Sequence, residues 1–153
     1  MINVLLFAGL AALVIWQGSR YRRRRAKRDE ASQIALELEP EICSLIESSD
    51  PANDSDGEPA VASYYPRERE RLARVFPKEP LFAVETFYQC IEAYRRARLD
   101  LLQTMRRDDA ASVSLGDKVR AKDLRDRSLK DVYYTGEAAL QAVRTLCGPP
   151  AHR

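Results

Sequence analysis

Apolar residues form one unbroken run near the start of the sequence and helix-spaced stripes further along it. Residues 4–16 carry no polar side chain, and Asn3 is the one polar side chain before them. A helix over residues 1–16 spans about 25 Å, slightly less than a hydrocarbon core of about 30 Å. Local thinning of the bilayer and extension of Arg20 toward the headgroups close that gap. The pattern predicts a single transmembrane anchor over residues 1–18.

Charge around the run gives the anchor a direction. Positive side chains follow the apolar run and none precede it, which favours a retained anchor over a cleaved signal peptide or a buried soluble helix. We expect a single-pass protein of the inner cell membrane, with the N-terminus outside and the body in the cytoplasm. Trp16 and Tyr21 are predicted to lie at the membrane interface. The basic collar, which sets topology and contacts lipid, consists of Arg20, Arg22, Arg23, Arg24, Arg25, Lys27 and Arg28.

Residues 19–47 are predicted to hold this collar and juxtamembrane helices. Ala31, Ile34, Ala35 and Leu38 follow helical spacing. Pro40 is expected to interrupt or kink that helix and to open a new short one. Residues 48–63 are rich in Ser, Asp, Pro and Gly and predict a flexible acidic linker.

Residues 64–148 are predicted to form a small helical body. A short helix is expected at about 67–76, and long helices at about 80–107 and 117–147, with Gly136 as the weakest position of the last. Gly148 and two prolines end it, and residues 149–153 form a disordered tail. The long helices predict an antiparallel hairpin. The fold class is all-α, with one transmembrane helix followed by this cytoplasmic body.

Net charge is +2 overall but uneven along the chain. Seven basic residues precede the first acid, Asp29; residues 29–58 contain ten acids and no Lys or Arg, and residues 59–153 have an excess of five positive charges. The acidic linker therefore separates two basic regions, and the simplest interpretation is a solvated spacer. The sharper alternative is that it folds back onto the basic body, or is repelled from an anionic membrane, and so regulates exposure of a binding surface.

Residue types that support catalysis or metal binding are scarce. The one histidine is His152, and the three cysteines are far apart, which indicates reduced thiols. Glu85 and Glu92 share a helix face as di-iron ligands would, but the Glu-x-x-His partners are missing. No phosphate loop or nucleophile elbow occurs. We predict no catalytic residues, no cofactor, no metal and no small-molecule substrate.

A two-helix hairpin cannot bury both of its apolar stripes without further helices or a partner. We therefore expect a non-enzymatic, membrane-tethered adaptor or assembly factor that binds a membrane or cytoplasmic protein or a second copy of itself. The candidate partner surface is Tyr88, Tyr94, Tyr133 and Tyr134.

The alternative is an anionic-lipid or nucleic-acid binding module that uses the collar and the late-helix arginines. A solvated helix face paired with nearby acids explains those arginines more simply, and a collar next to the bilayer disfavours nucleic acid. The late-helix arginines are Arg95, Arg96, Arg98, Arg106 and Arg107.

Overall fold

The computed structural model describes residues 2–49, 62–106 and 114–148, with side chains described from Ile15 onward. Helices account for nearly all of these residues and no strand occurs among them, which confirms the all-α prediction. The elements are α1 (Ile2–Ser48), α2 (Tyr64–Val75), α3 (Lys78–Arg106) and α4 (Leu115–Cys147).

Helix α1 continues through Pro40 instead of ending before it. A proline in a helix interior removes one backbone hydrogen bond. Its ring is exposed here, whereas Leu38 and Ile42 on either side of it are completely buried. Packing of the apolar stripe on both sides of Pro40 outweighs the lost hydrogen bond and keeps one helix. The predicted separate juxtamembrane helices are one element.

The second half of α1 belongs to the core of the body. Its buried positions Ile34, Leu38, Ile42 and Leu45 join the same apolar cluster as Phe87 of α3, Leu72 of α2 and Val143 of α4. Residues 31–49 are therefore part of the body, which the sequence-based division limited to 64–148. The apolar stripe that predicted a helix here also needed a surface to cover it.

Helices α3 and α4 form the predicted antiparallel hairpin, and they share the largest interface of the fold. The Cβ direction of Gly136 points toward Phe87, and residues 98–105 line the same groove as residues 118–125. Helix α1 runs antiparallel to α4, because Glu39 pairs with Arg144 and Ile46 lies next to Gly136. Helix α2 crosses back along α1.

Helix bounds differ from prediction by a few residues at each end. Helix α2 begins three residues earlier than predicted, and α3 and α4 begin two residues earlier. Ser48 and Ser49, predicted as linker, close α1, where the Ser49 hydroxyl donates to the Leu45 carbonyl at 2.7 Å. Residues 50–61 of the predicted linker, residues 107–113 between α3 and α4, and the predicted tail lie outside the described residues.

The first part of α1 extends away from the body. Every side chain from Ile15 to Asp29 is exposed, a length of about 22 Å. Within the residues whose side chains are described, no helix is both long and apolar enough to cross a membrane. The apolar side chains of residues 1–14, on which the predicted anchor depends, lie outside that set.

Candidate docking groove

A carboxylate on α1 fixes the start of α2 and the orientation of α3. Ser63, the N-cap residue of α2, makes no side-chain cap. Instead Glu41 accepts hydrogen bonds from the backbone N–H groups of Ser63, Tyr64 and Tyr65, at 3.0, 2.6 and 3.3 Å. It also accepts from the Tyr88 hydroxyl at 2.6 Å. One side chain thus caps a helix that follows it by 22 residues.

The contacts of Glu41 and Tyr88 determine the direction in which the pKa of each is shifted. Burial would raise the pKa of the Glu41 carboxyl, but the hydrogen bonds from Tyr88 and the α2 backbone outweigh burial and hold the pKa below its usual value. Burial, with Glu41 as the next cause, raises the pKa of Tyr88. Glu41 is therefore the ionised acceptor and Tyr88 the neutral donor.

Two tyrosines of the predicted partner surface are not available to a partner. Tyr88 and Tyr94 are each 5% exposed. Tyr88 stacks on Tyr65 with ring centroids 4.0 Å apart, and the Tyr94 hydroxyl donates to the Ser49 carbonyl at 3.4 Å. The prediction for these residues is corrected: both rings hold α3 against α1 and α2, because their apolar bodies are in the core and their hydroxyls find buried acceptors.

The adjacent tyrosines of α4 lie on different faces. Tyr133 packs against the core, whereas Tyr134 is 75% exposed. Consecutive helix positions are about 100° apart, so only one of the two is able to face the core. Tyr134 is the one member of the predicted set whose ring is largely open to solvent.

An apolar groove lies at the end of the hairpin, beyond the point where α1 stops. Helix α1 ends at Ser48, and Ser49 lies next to Tyr94, while α3 continues to Arg106 and α4 starts at Leu115. Leu101 forms the buried floor of the groove. Leu102, Met105 and Val119 remain 42%, 59% and 51% exposed, although their helical spacing is that of core positions. No described element covers them.

Basic side chains border this groove on both helices. Its lining consists of four apolar and four basic residues, with no acid among them. Arg125 donates to the neighbouring Asp126 at 2.6 Å, so that cation is partly neutralised. The basic members of the lining are Arg98, Lys118, Lys122 and Arg125.

A second cleft lies between α2 and α3, over the residues that resembled a carboxylate pair. Glu85 pairs with Arg69 at 3.7 Å and Glu92 with Arg95 at 3.4 Å. The hydroxyl of Tyr88, also in its wall, is bonded to Glu41. Within the described residues no group of three His, Cys, Asp or Glu side chains is placed to hold a metal. Glu85, Glu92 and the Tyr88 hydroxyl of this cleft are thus each engaged by a charged side chain.

The two basic regions of the alternative prediction lie far apart. All collar side chains are exposed on α1, and Arg20 lies over the ring of Trp16 at 4.8 Å; Tyr21 is exposed as well. About 37 Å of helix separates Arg24 from Ser49. The late-helix arginines begin directly after Tyr94, whose hydroxyl contacts Ser49. Arg107 lies outside the described residues.

Sequence reasoning found the members of the groove but not the groove. Leu101, Leu102, Met105 and Val119 are apolar residues within the two predicted long helices, at about 80–107 and 117–147. The missing signal was the length of α1, which covers the hairpin only as far as Tyr94. The apolar stripe of α1 ends near residue 49, whereas that of α3 continues to about residue 106. This difference is the sequence feature that indicates that one end of the hairpin is uncovered.

The chain matches no family model, no curated protein and no solved structure. Its function is therefore inferred from its own residues and their geometry.

Proposed function

We propose that this chain is a membrane-tethered, non-enzymatic interaction protein, an adaptor or assembly factor, whose helical bundle binds a protein partner through the groove at the end of its hairpin. Residues 1–18 are the anchor, the collar holds the body on the cytoplasmic side, and α1 connects the two. The docking claim rests on one observation: Leu102, Met105 and Val119 are exposed next to a buried Leu101 floor.

Leaving these three apolar side chains in water is unfavourable in free energy, and a partner that covered them would remove that cost. Covering an apolar side chain contributes about 1.5–3 kcal/mol relative to leaving it in water. Contiguous exposed apolar surface on a soluble body is typical of interaction sites. A groove between two helices is the surface into which a third helix packs.

Support for the tether comes from charge and geometry. The collar follows the apolar run directly, and cationic side chains next to a bilayer favour the cytoplasmic face. Helix α1 carries the chain from the collar into the bundle without a break. Because α1 points toward the hairpin end, the groove is at the end of the bundle farthest from the collar, on the order of 50 Å along the helices.

This geometry separates the protein-docking function from the lipid alternative. Anionic lipid attracts basic residues within about a Debye length of 8–10 Å. The collar satisfies that condition next to an anchor, and the groove does not. We therefore assign lipid contact to the collar and protein binding to the groove.

Site-specific photocrosslinking in native membranes tests the docking function. A benzophenone side chain at Leu102 is expected to give a discrete adduct with a second protein. The same group at Tyr134, which is exposed outside the groove, is the matched control and should give none. Substitution of Met105 and Val119 by serine should abolish the Leu102 adduct. Equal labelling from both positions, or no adduct at Leu102, would contradict the proposed function.

A further inference from the structure

We infer that the occupant of the groove is an acidic amphipathic helix of a partner protein. This inference rests on the proposed docking function and adds the chemistry of what docks. It follows from the charge of the groove, from the way in which α1 occupies the neighbouring surface, and from the charges at the end of the hairpin.

The fold already contains one example of this packing. Helix α1 lies on α4 and, through Tyr88 and Tyr94, against α3. The part of α1 from Asp29 to Ser48 has six acids and no Lys or Arg beside its apolar stripe. Glu39 reaches Arg144 of α4 at 2.7 Å. Glu41 accepts from the Tyr88 hydroxyl of α3, whereas Glu30 pairs with Arg71 of α2. Along its covered length the hairpin therefore packs against an amphipathic helix whose acids include two, Glu39 and Glu41, that contact it.

The uncovered length of the hairpin also has an apolar surface with basic side chains beside it. Leu102, Met105 and Val119 form the apolar surface. Lys122 and the other basic lining residues form the rim. An apolar stripe flanked by Glu or Asp would bury its leucines between α3 and α4 and bring its acids to the rim. Complementary charge gives such a docking its orientation and its rate of association.

Other occupants fit less well. Residues 95–106 and 114–131 contain ten Lys or Arg and five Asp, so two copies meeting at this end would bring like charges together. The chain's own acidic residues 50–58 contain Pro51 and Gly57 and no large apolar side chain that would fill the floor. An acidic amphipathic partner helix would cover the apolar floor with its apolar side chains and bring its acids to the basic rim.

Peptide binding to the full chain in phosphatidylcholine nanodiscs tests this inference. The probe is a fluorescent synthetic helix with leucines at i, i+3, i+4 and i+7 and glutamates on the flanks. One control peptide has lysines in place of the glutamates, another has serines in place of the leucines, and empty nanodiscs control for lipid binding. We expect the acidic peptide to bind, both control peptides to bind at least about tenfold more weakly, and added salt to reduce binding.

A matched pair of charge reversals locates the site. Lys122→Glu should weaken the acidic peptide about tenfold, since it places a like charge on the rim. Arg120→Glu makes the same charge change on the opposite face of α4 and should leave binding within about twofold. Met105→Ser with Val119→Ser should weaken binding as strongly as Lys122→Glu, while Phe82→Ser, an exposed apolar residue elsewhere, should not.

The outcomes separate this inference from the function on which it rests. Equal binding of the acidic and basic peptides would contradict the inference that the occupant is an acidic helix. Equal effects of Lys122→Glu and Arg120→Glu on binding would contradict it as well. A Leu102 adduct that maps to residues 50–61 of the same chain, or to a second copy, also overturns it. If the acidic peptide fails but a discrete partner adduct forms at Leu102, the docking function stands without this occupant. If both fail, both are wrong.

Discussion

Glu41 is the residue on which the arrangement of α1, α2 and α3 depends most. Its carboxylate accepts from three backbone N–H groups at the start of α2 and from the Tyr88 hydroxyl. Without it, the first N–H groups of α2 lose their acceptor, because Ser63 supplies no side-chain cap. The capping residue is contributed by a different helix, so the cap forms only when α1 and α2 pack together.

We predict that Glu41→Gln destabilises the bundle by about 1–2 kcal/mol at neutral pH, the usual cost of losing a helix cap. Because the folded pKa of Glu41 is below its usual value of 4.5, its contribution is present above that value and disappears as the pH falls through the folded pKa. The variant should therefore approach the wild type in stability at acid pH. Urea unfolding of the full chain in micelles, followed by circular dichroism, measures both effects.

The control for this change is Glu70→Gln, which removes the same charge from a side chain that is 93% exposed and 3.9 Å from its partner Arg74. Exposed ion pairs of this kind contribute little. Equal stability of the two variants at neutral pH would show that Glu41 is not the cap. A stability difference between Glu41→Gln and the wild type that stays constant into acid would exclude the ionised carboxylate as its cause.

At the scale of the helices, Gly136 sets how closely α4 approaches its neighbours. A Cβ atom added there would lie 2.6 Å from Cδ1 and 2.9 Å from Cγ1 of Ile46, and 3.2 Å from Cε2 of Phe87. Ile46 is on α1 and Phe87 is on α3, so the three helices meet at this glycine. The position that looked weakest in the helix pattern of α4 is the one that permits this close contact.

We predict that Gly136→Ala lowers the free energy of unfolding by about 1–3 kcal/mol, although alanine favours an isolated helix over glycine by about 1 kcal/mol. Gly116→Ala is the matched control on the same helix, because its added Cβ would be 3.6 Å from the nearest atom, the Ser114 hydroxyl oxygen. Thermal unfolding of both variants distinguishes packing from helix propensity. Equal or greater stability of Gly136→Ala would contradict the close contact.

The individual helices could be predicted from periodicity, but their assembly could not. Helices α2, α3 and α4 follow from apolar spacing, and the exposed Tyr134 beside the packed Tyr133 follows from the helical angle. The continuity of α1 through Pro40 does not, because a local rule for proline favours a break and only packing on Leu38 and Ile42 outweighs it. Burial of Tyr88 and Tyr94 depends on acceptors that α1 supplies from more than 40 residues away.

Periodicity alone did not predict the groove, for a related reason. Leu102, Met105 and Val119 have the spacing of core residues, and they are exposed only because α1 ends near Tyr94. Periodicity identifies an apolar face but not the length over which another element covers it. Its basic rim is formed by residues of both α3 and α4, which the packing of the hairpin brings together.

At the scale of the whole molecule, α1 is one continuous helix that connects the basic collar to the bundle bearing the groove. The collar and the groove are at opposite ends of the described chain, since α1 runs from one toward the other and α3 extends past its end. From Arg24 to Leu102 the separation along the helices is roughly 50 Å. In the proposed arrangement, with residues 1–18 as the anchor, a partner in the groove would be held away from the bilayer.

Energy transfer from a dye on the chain to acceptor-labelled lipid in nanodiscs tests this arrangement most directly. Cys43, Cys90 and Cys147, which are free thiols, are first replaced by alanine, and one cysteine is then introduced by Arg24→Cys or Leu102→Cys. Circular dichroism confirms that each labelled chain is folded. The account predicts strong transfer from position 24 and little from position 102. Equal transfer from both positions, or none from position 24, would contradict it.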